Sequence, residues 1–234
     1  FTSQQEAHVS ERFGVETRDL VLPLGVVLPE FTDSEASAKR QVRSQYNIPE
    51  DSPIVLFMSR IDPKKGLDLL LPALTDLLQA DTKFHFILSG GNPQDQRYVD
   101  GINQHIQQLG LGACTTVTGF VSGELKGQIL QAADIFVLPS YYENFGIAVA
   151  EAMMAGKPVV ISDQVHIWPD IKESESGWVT GCDRNQLIQA LTKALSDPAE
   201  RQRRGAQGQQ FAATHYSWAA ISARMLSTYQ DLLA

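Results

Sequence analysis

Short apolar runs alternate with longer helical patterns through the middle of this chain. The runs lie at residues 54–58, 84–88, 115–117, 135–138 and 159–161, and helical patterns begin near residues 66, 95, 122 and 146. Such an alternation predicts parallel strands, because a parallel connection needs a long crossover that is usually a helix. Residues 135–138 contain no polar side chain, which is typical of a central strand covered on both faces. We therefore predict an α/β domain built on a doubly wound parallel sheet.

Charge and cysteine content exclude several classes of protein. Lys and Arg number 19 against 27 Asp and Glu, a net charge of −8. This is the wrong sign for a protein that binds nucleic acid by neutralising phosphates. No stretch approaches the roughly 18 uninterrupted apolar residues of a membrane span, and Cys114 and Cys182 form no CxxC or Cys/His cluster. We expect a cytoplasmic protein with no nucleic-acid partner, no transmembrane segment and no metal site, and peripheral contact with a membrane surface stays open.

The start of the chain differs from its middle. Because the first residue is Phe1 and no signal or transit segment follows, we expect the chain to begin within a longer protein. Ser3 and Glu6 have the spacing of a capping box, which predicts that a helix begins there, runs toward Phe13 and ends at Gly14.

The connector and the end of the chain are predicted to be helical. A polar stretch over residues 30–52 contains one predicted helix that ends near Tyr46. After residue 179 the pattern becomes helical, with Pro198 between two helices and an amphipathic run over residues 218–233.

Ligands bind beyond the carboxyl ends of the strands in an open parallel sheet, so the loops after the strands are the places to search. Arg60 follows the first predicted strand, and Lys65 precedes Gly66, which opens a helix. Two cations beside a helix N-terminus favour an anion. The alternative is a solvated loop whose charges bind nothing.

Two further loops carry weaker signals. Gly90 and Gly91 follow the second strand, where they allow close approach of a ligand to the backbone, or form an ordinary tight turn. After the third strand, Ser122 can cap the next helix and leave the backbone of Val121 free for the edge of a planar base. A cap without any ligand is the competing interpretation.

The loop and helix after the fourth strand are the most informative segment. Residues 145–156 are all apolar or glycine except Glu151, which predicts a helix buried on nearly every side. Glu151 should then be paired, protonated, or facing a cleft where a ligand donates to it. It could accept from the vicinal hydroxyls of a ribose, and a structural salt bridge is the main alternative. Glu143 is predicted either to cap this helix together with Asn144 or to contact a ligand.

Taken together, these motifs resemble those of the retaining glycosyltransferases of the GT-B fold, specifically the GT4 family. Glu143 and Glu151 match the E-x7-E signature of that family, within ENFGIAVAE. Arg60 and Lys65 match its R-x4-K-G element, and residues 119–121 match its G-x-V loop. The segments SDQVHIWPDI and SGWVT resemble the part that closes the donor site. The resemblance covers roughly the whole chain.

The resemblance implies a role for each matched residue. Arg60 and Lys65 would bind the diphosphate of a nucleoside-diphosphate sugar, Glu151 its ribose, and the backbone of Val121 its base. Glu143 and the amides of residues 144–147 would contact the transferred sugar. The implied catalytic residues are Arg60, Lys65 and Glu143. The implied donor-binding residues are Gly90, Gly91, Val121, Asn144, Phe145, Gly146, Ile147 and Glu151.

The family stabilises the departing diphosphate with fixed cations and a helix N-terminus, so neither a cofactor nor an obligatory metal is expected. No DxD-like pair stands where a metal site would be wanted. This chain departs from the family at Leu24, where many relatives carry Asn, and at His166, where many carry Gly. His166 could contact a ligand, or it could lie outside the site.

The resemblance also implies a division of the chain. Residues 1–29 would be the tail of an N-terminal acceptor domain with the interdomain linker. Residues 30–215 would form the Rossmann-like nucleotide-sugar-binding domain, the C-terminal half of a GT-B fold. Residues 216–234 would be a helix that packs back on the N-terminal domain.

The implied function is transfer of a hexosyl unit, with retention, from a nucleoside-diphosphate sugar to a carbohydrate or lipid-linked acceptor. The isolated chain would bind donor and barely turn over. Two alternatives stay open: a non-catalytic nucleotide-binding or regulatory module, and a sugar phosphorylase or epimerase of the same fold.

Overall fold

The computed structural model describes residues 1–10, 20–27 and 34–233. Helix α1, Gln4–Ser10, begins where the capping box predicts, and the Glu6 amide donates to the Ser3 hydroxyl at 3.1 Å. The predicted helix end at residues 13–14 and the predicted domain boundary at residues 29–30 lie outside the described residues.

A parallel sheet of six strands forms the centre of the described part of the chain. The strands are β1 Ile54–Met58, β2 His85–Ser89, β3 Thr115–Gly119, β4 Ile135–Leu138, β5 Val159–Ser162 and β6 Gly177–Thr180. Their order is β3-β2-β1-β4-β5-β6. The direction of winding reverses between β1 and β4, which places a crevice beyond the carboxyl ends of these two strands. The predicted doubly wound sheet is confirmed.

The sixth strand was not predicted from the sequence. Among the described residues, β6 is a short edge strand that pairs with β5 alone, and its two middle residues are partly exposed. It begins at Gly177, where a Cβ would lie 2.0 Å from the Val159 carbonyl oxygen, so the close pairing requires glycine. A four-residue segment that mixes glycine and threonine with two apolar residues lacks the continuous apolar run of a buried strand.

Helices cover both faces of the sheet, since every residue of β1, β2, β4 and β5 is buried. The remaining helices are α2 Glu35–Tyr46, α3 Leu67–Gln79, α4 Gln96–Gln108, α5 Gly123–Ala132, α6 Ile147–Met154, α7 Trp168–Glu173, α8 Arg184–Ser196, α9 Pro198–His215 and α10 Trp218–Leu233. Helix α2 packs against α5, α3 against α8, and α6 against α9. As predicted, Pro198 separates two helices, and the Asp197 side chain caps the second of them.

The segment over residues 20–27 contacts the start of α10. The Val26 amide donates to the Tyr216 carbonyl at 2.8 Å, and the Trp218 ring lies directly against Gly25. Helix α10 leaves Trp218, Leu226 and Tyr229 exposed. None of the helices in the described residues has the length and the hydropathy that a membrane span requires.

Candidate functional site

A cleft of about 650 Å³ lies at the carboxyl ends of β1 to β4. Most of the predicted site residues line it: Arg60, Gly90, Gly91, Val121, Glu143, Gly146, Ile147 and Glu151. Two smaller cavities, of about 490 and 380 Å³, lie at the opposite end of the sheet around Asp134 and Arg201. Neither is lined by a predicted site residue, so the topology and the predicted residues converge on the larger cleft.

Glu151 is both paired and directed into the cleft. It is 8% exposed, on a helix whose neighbouring residues Ala150 and Ala152 are fully buried. The Lys126 ammonium, on the first turn of α5, donates to Glu151 Oε1 at 2.6 Å. Two of the predicted alternatives for Glu151, an ion pair and a carboxylate that faces a cleft, are therefore both found. The sequence pattern did not identify Lys126, because the only local signal is a lysine one turn into a helix.

Glu143 pairs with Lys65, and of its two predicted roles, capping α6 with Asn144 or contacting a ligand, the first is not found. The Lys65 ammonium donates to Glu143 Oε2, and both side chains are largely buried. The backbone of Glu143 is held by two hydrogen bonds, to the carbonyl of Gln164 at 3.0 Å and from the amide of His166 at 2.9 Å. These backbone bonds hold Glu143 in place while its carboxylate accepts from Lys65.

The start of α6 has no side-chain cap. Gly146 occupies the cap position with a φ of 79°, a left-handed conformation that favours glycine. The side-chain Oδ1 of Asn144 accepts instead from the Tyr142 hydroxyl at 2.5 Å. The first amides of α6 therefore have no intrahelical partner and lie at the edge of the cleft, which Gly146 and Ile147 line.

Arg60 is the more available of the two predicted cations. Its side chain is 55% exposed, and its guanidinium lies 3.5 Å from the Asp62 carboxylate. Asp62 also caps the short helical turn Pro63–Lys65 by accepting from the Lys64 amide at 3.0 Å. Lys65 does not line the cleft directly, since it lies behind Glu143. Of the two predicted cations, Arg60 is therefore the one that lines the cleft.

Gly90 and Gly91, which follow β2, differ in what surrounds them. At Gly90 the φ is 145°, and a Cβ would lie 1.9 Å from the Ser59 carbonyl oxygen, so this glycine permits two loops of the protein to touch. A Cβ on Gly91 would meet nothing within 4 Å, and Gly91 faces the cleft. Only Gly91 therefore leaves open space beside the backbone for a ligand.

The loop after β3 carries a residue that the sequence analysis missed. Phe120 is 82% exposed and lines the cleft next to Val121. An exposed phenyl ring at a cleft edge offers a flat apolar face. The predicted cap of α5 is wrong: Ser122 occupies the cap position, but its side chain makes no capping hydrogen bond. Gly123, the first residue of α5, has a φ of 55°, a left-handed conformation outside the range of a regular helix.

Phe145 and His166 lie outside the cleft. The Phe145 ring is buried against Tyr216 with ring centroids 5.2 Å apart, so only its backbone is near the site. His166 meets the Tyr142 ring edge-on at 5.3 Å. Burial lowers the pKa of His166, against the opposing effects of the Glu6 and Glu143 carboxylates. Of the two interpretations of His166, the structure favours a position outside the site.

Within residues 1–10, 20–27 and 34–233, no group of three or more His, Cys, Asp or Glu side chains is arranged to hold a metal ion.

Comparison with known proteins gives a consistent set of relatives. A family model described as glycosyl transferases group 1 matches residues 38–211. An alpha-D-kanosaminyltransferase of Streptomyces kanamyceticus is 28% identical over 205 residues, which are 87% of this chain and 52% of that protein. A D-inositol 3-phosphate glycosyltransferase of Xylanimonas cellulosilytica is 30% identical over 213 residues, 89% of this chain and 50% of that protein. The chain spans about half the length of the curated relatives it matches.

Solved structures resemble the whole chain. A sucrose-phosphate synthase from Thermosynechococcus elongatus is 30% identical with a TM-score of 0.82, and the match covers 99% of this chain and 57% of that one. Anabaena Alr3699/HepE, in complex with UDP and glucose, is 23% identical with a TM-score of 0.81, covering 98% of this chain and 61% of that one. The second likeness is one of fold alone.

Proposed function

The chain belongs to the glycosyl transferases group 1 family, with the Rossmann-like α/β fold of GT-B glycosyltransferases, and we propose that its cleft binds the nucleoside-diphosphate sugar of a retaining hexosyltransferase. The acceptor would be a carbohydrate or a lipid-linked sugar. The observation that carries the proposal is Glu151, a carboxylate buried in an apolar helix and yet facing a cleft that also contains Arg60. HepE has a similar fold, and its structure is a complex with UDP and glucose. This supports a nucleoside-diphosphate sugar as the class of ligand.

The donor would lie across the cleft from the loop after β3 to the start of α6. Its base would meet the backbone of Val121 and the exposed ring of Phe120. The ribose hydroxyls would donate to Glu151, since an ionised carboxylate can accept several hydrogen bonds. Glu143 and the first amides of α6 would contact the transferred sugar. Each contact uses a group that lines the cleft.

The chemical step requires stabilising the nucleoside diphosphate as it leaves the sugar. The Arg60 guanidinium and the N-terminus of α6 favour the negative charge that develops on the diphosphate. Lys65 is bonded to Glu143 and does not line the cleft, so it would act on the diphosphate through its positive charge. We propose that Arg60 and the N-terminus of α6 stabilise this charge without a metal ion.

Calorimetry on this chain with UDP, GDP and ADP tests the proposal. We expect at least one of the three to bind, and to bind equally well with EDTA present. Wild-type protein that binds none of them at millimolar concentration would contradict the proposed function. This chain alone is expected to transfer sugar slowly or not at all, because it spans about half the length of its relatives.

Replacing Arg60 by alanine is expected to weaken binding of the nucleoside diphosphate about tenfold or more, because hydrogen bonds to charged groups contribute about 1.5–3 kcal/mol each. Since the side chain is more than half exposed, the free energy of unfolding should change little. The dissociation constant is measured at low and high salt, and the variant should show the weaker salt dependence. Lys64→Ala, an exposed cation in the same loop that does not line the cleft, is the matched control. Equal affinities for Arg60→Ala and wild type would exclude this role.

Replacing Phe120 by alanine is expected to weaken binding about tenfold, because stacking of a base on an aromatic ring contributes about 1–3 kcal/mol. Phe120→Tyr keeps a ring of the same shape and should bind like wild type. Both variants are compared by calorimetry. If the alanine variant binds as tightly as the tyrosine variant, the base does not stack on this ring.

A further inference from the structure

Lys126 lines the cleft, and none of the ligand contacts proposed above involves it. It lies on the first turn of α5 and lines the cleft together with Glu151 of α6. The side chains of Lys126 and Glu151 are 26% and 11% exposed. The pair is therefore largely shielded from water on the protein side and accessible from the cleft.

Lys126 restricts the orientation of the Glu151 carboxylate. In the part of the chain that the structure describes, Lys126 is the hydrogen-bond partner of the Glu151 carboxylate, through Oε1. The adjacent residues of α6, Ala150 and Ala152, offer no polar side chain. The terminal torsion of a glutamate side chain is intrinsically broad, so a carboxylate without such a partner would not hold one orientation.

We propose that Lys126 is a positioning residue for the nucleotide ribose, an inference that rests on the proposed function of the cleft. By binding Oε1, Lys126 holds the carboxylate so that Oε2 faces the vicinal hydroxyls of the ligand. An ionised carboxylate has about four acceptor sites and Lys126 occupies one, which leaves enough for a diol. The ammonium also keeps two further N–H donors for the ligand side of the cleft.

The charges of the cleft support the same role. A nucleoside diphosphate is an anion, and an uncompensated carboxylate beside it would be repelled. Glu143 is paired with Lys65 and Glu151 with Lys126, so each of these two acids has its own lysine. The pairing lets a chain of net charge −8 present two carboxylates to an anionic ligand.

A purely structural ion pair between α5 and α6 makes a different prediction from a positioning residue. Loss of a structural pair would lower the free energy of unfolding without distinguishing ligands. Loss of a positioning residue would weaken the hydrogen bond between the Glu151 carboxylate and the ribose hydroxyl, and so would affect ligands that carry this hydroxyl most. The ratio of affinities for a ribonucleotide and its 2′-deoxy counterpart therefore separates the two.

The test compares UDP, GDP and ADP with dUDP, dGDP and dADP by calorimetry on this chain. Wild type is expected to prefer the ribonucleotide about tenfold, because the missing 2′-hydroxyl leaves a charged acceptor unpaired. Lys126→Met, which keeps the apolar stem, should lose most of that preference, and because Glu151 is then uncompensated it should also bind the 2′-deoxy ligand more weakly than wild type does. Lys126→Arg should restore the preference. Lys83→Met removes an exposed lysine paired with Asp51 at 2.5 Å, far from the cleft, and should change neither affinity.

Each outcome is decisive. A Lys126→Met variant that keeps the wild-type ribose preference would overturn the positioning role and leave the proposed function standing. Wild type that binds none of the six ligands would overturn the proposed function and this inference with it. If Lys126→Met fails to fold by circular dichroism, Lys126→Gln, whose amide tolerates water, replaces it in the same comparison.

Discussion

Substitution of Glu151 by glutamine is expected to weaken nucleoside-diphosphate binding about a hundredfold, because two hydrogen bonds to a charged group contribute about 1.5–3 kcal/mol each. Glutamine keeps the size of the side chain, but one carboxylate oxygen becomes an NH2 group that cannot accept from a hydroxyl. The substitution also leaves the Lys126 ammonium without its anionic partner. Calorimetry with the nucleotide that wild type prefers gives the dissociation constant directly.

The matched control for this substitution is Glu124→Gln on the first turn of α5. Glu124 is exposed, bonds to Gln128 at 3.1 Å, and does not line the cleft. The same chemical change there should leave the dissociation constant within about twofold of wild type, because an exposed charge contributes little at this distance. A Glu151→Gln variant that binds as tightly as Glu124→Gln would remove Glu151 from the site. Thermal unfolding of both variants excludes loss of the fold as the cause.

Substitution of Gly66 by alanine is expected to lower the free energy of unfolding by about 4 kcal/mol, among the largest effects of a single substitution. Gly66 joins the Arg60–Lys65 loop to α3 with a φ of 72°, a conformation that costs an L-residue about 1–2 kcal/mol. In addition, a Cβ would lie 2.0 Å from the Pro139 carbonyl oxygen. Because that contact is to backbone, no side-chain rotation relieves it, and the loops after β1 and β4 must separate.

Gly123→Ala is the matched control for the steric part of this effect. Gly123 also has a left-handed φ, of 55°, but a Cβ there would meet nothing within 4 Å. Alanine at this position should therefore lower the free energy of unfolding by the backbone strain alone, about 1–2 kcal/mol. Urea denaturation of wild type and both variants in one buffer measures the three free energies. Equal losses in the two variants would show that the approach of Gly66 to Pro139 contributes nothing.

The sequence predicted which loops form the site, but it did not predict which side chains pair with each other there. Arg60, Gly91 and Glu151 come from three loops or helix starts that follow different strands, and all three line one cleft. This follows from the topology, because the carboxyl ends of parallel strands meet at one edge of the sheet. Phe120 escaped notice because an aromatic residue in a short loop has no pattern of its own.

Two side-chain caps that the sequence allowed are absent at the starts of the described helices α5 and α6. Ser122 has the spacing and residue type of a helix cap, as does Asn144. A cap also requires the backbone at the helix start to direct its amides at the side chain. Gly123 and Gly146 adopt positive φ at those positions, and neither helix receives a side-chain cap. Local spacing is compatible with a cap, and the backbone conformation decides against it.

The sequence by itself determined the doubly wound sheet and the loops that carry polar groups, because apolar periodicity follows directly from which faces of a strand or helix are buried. Tertiary structure alone decided how those groups are paired. Lys65 and Glu143 are 78 residues apart, and Lys126 and Glu151 are 25 apart. An ion pair requires its atoms to lie within a few ångströms, a distance that depends on the packing of separate elements and not on any local pattern.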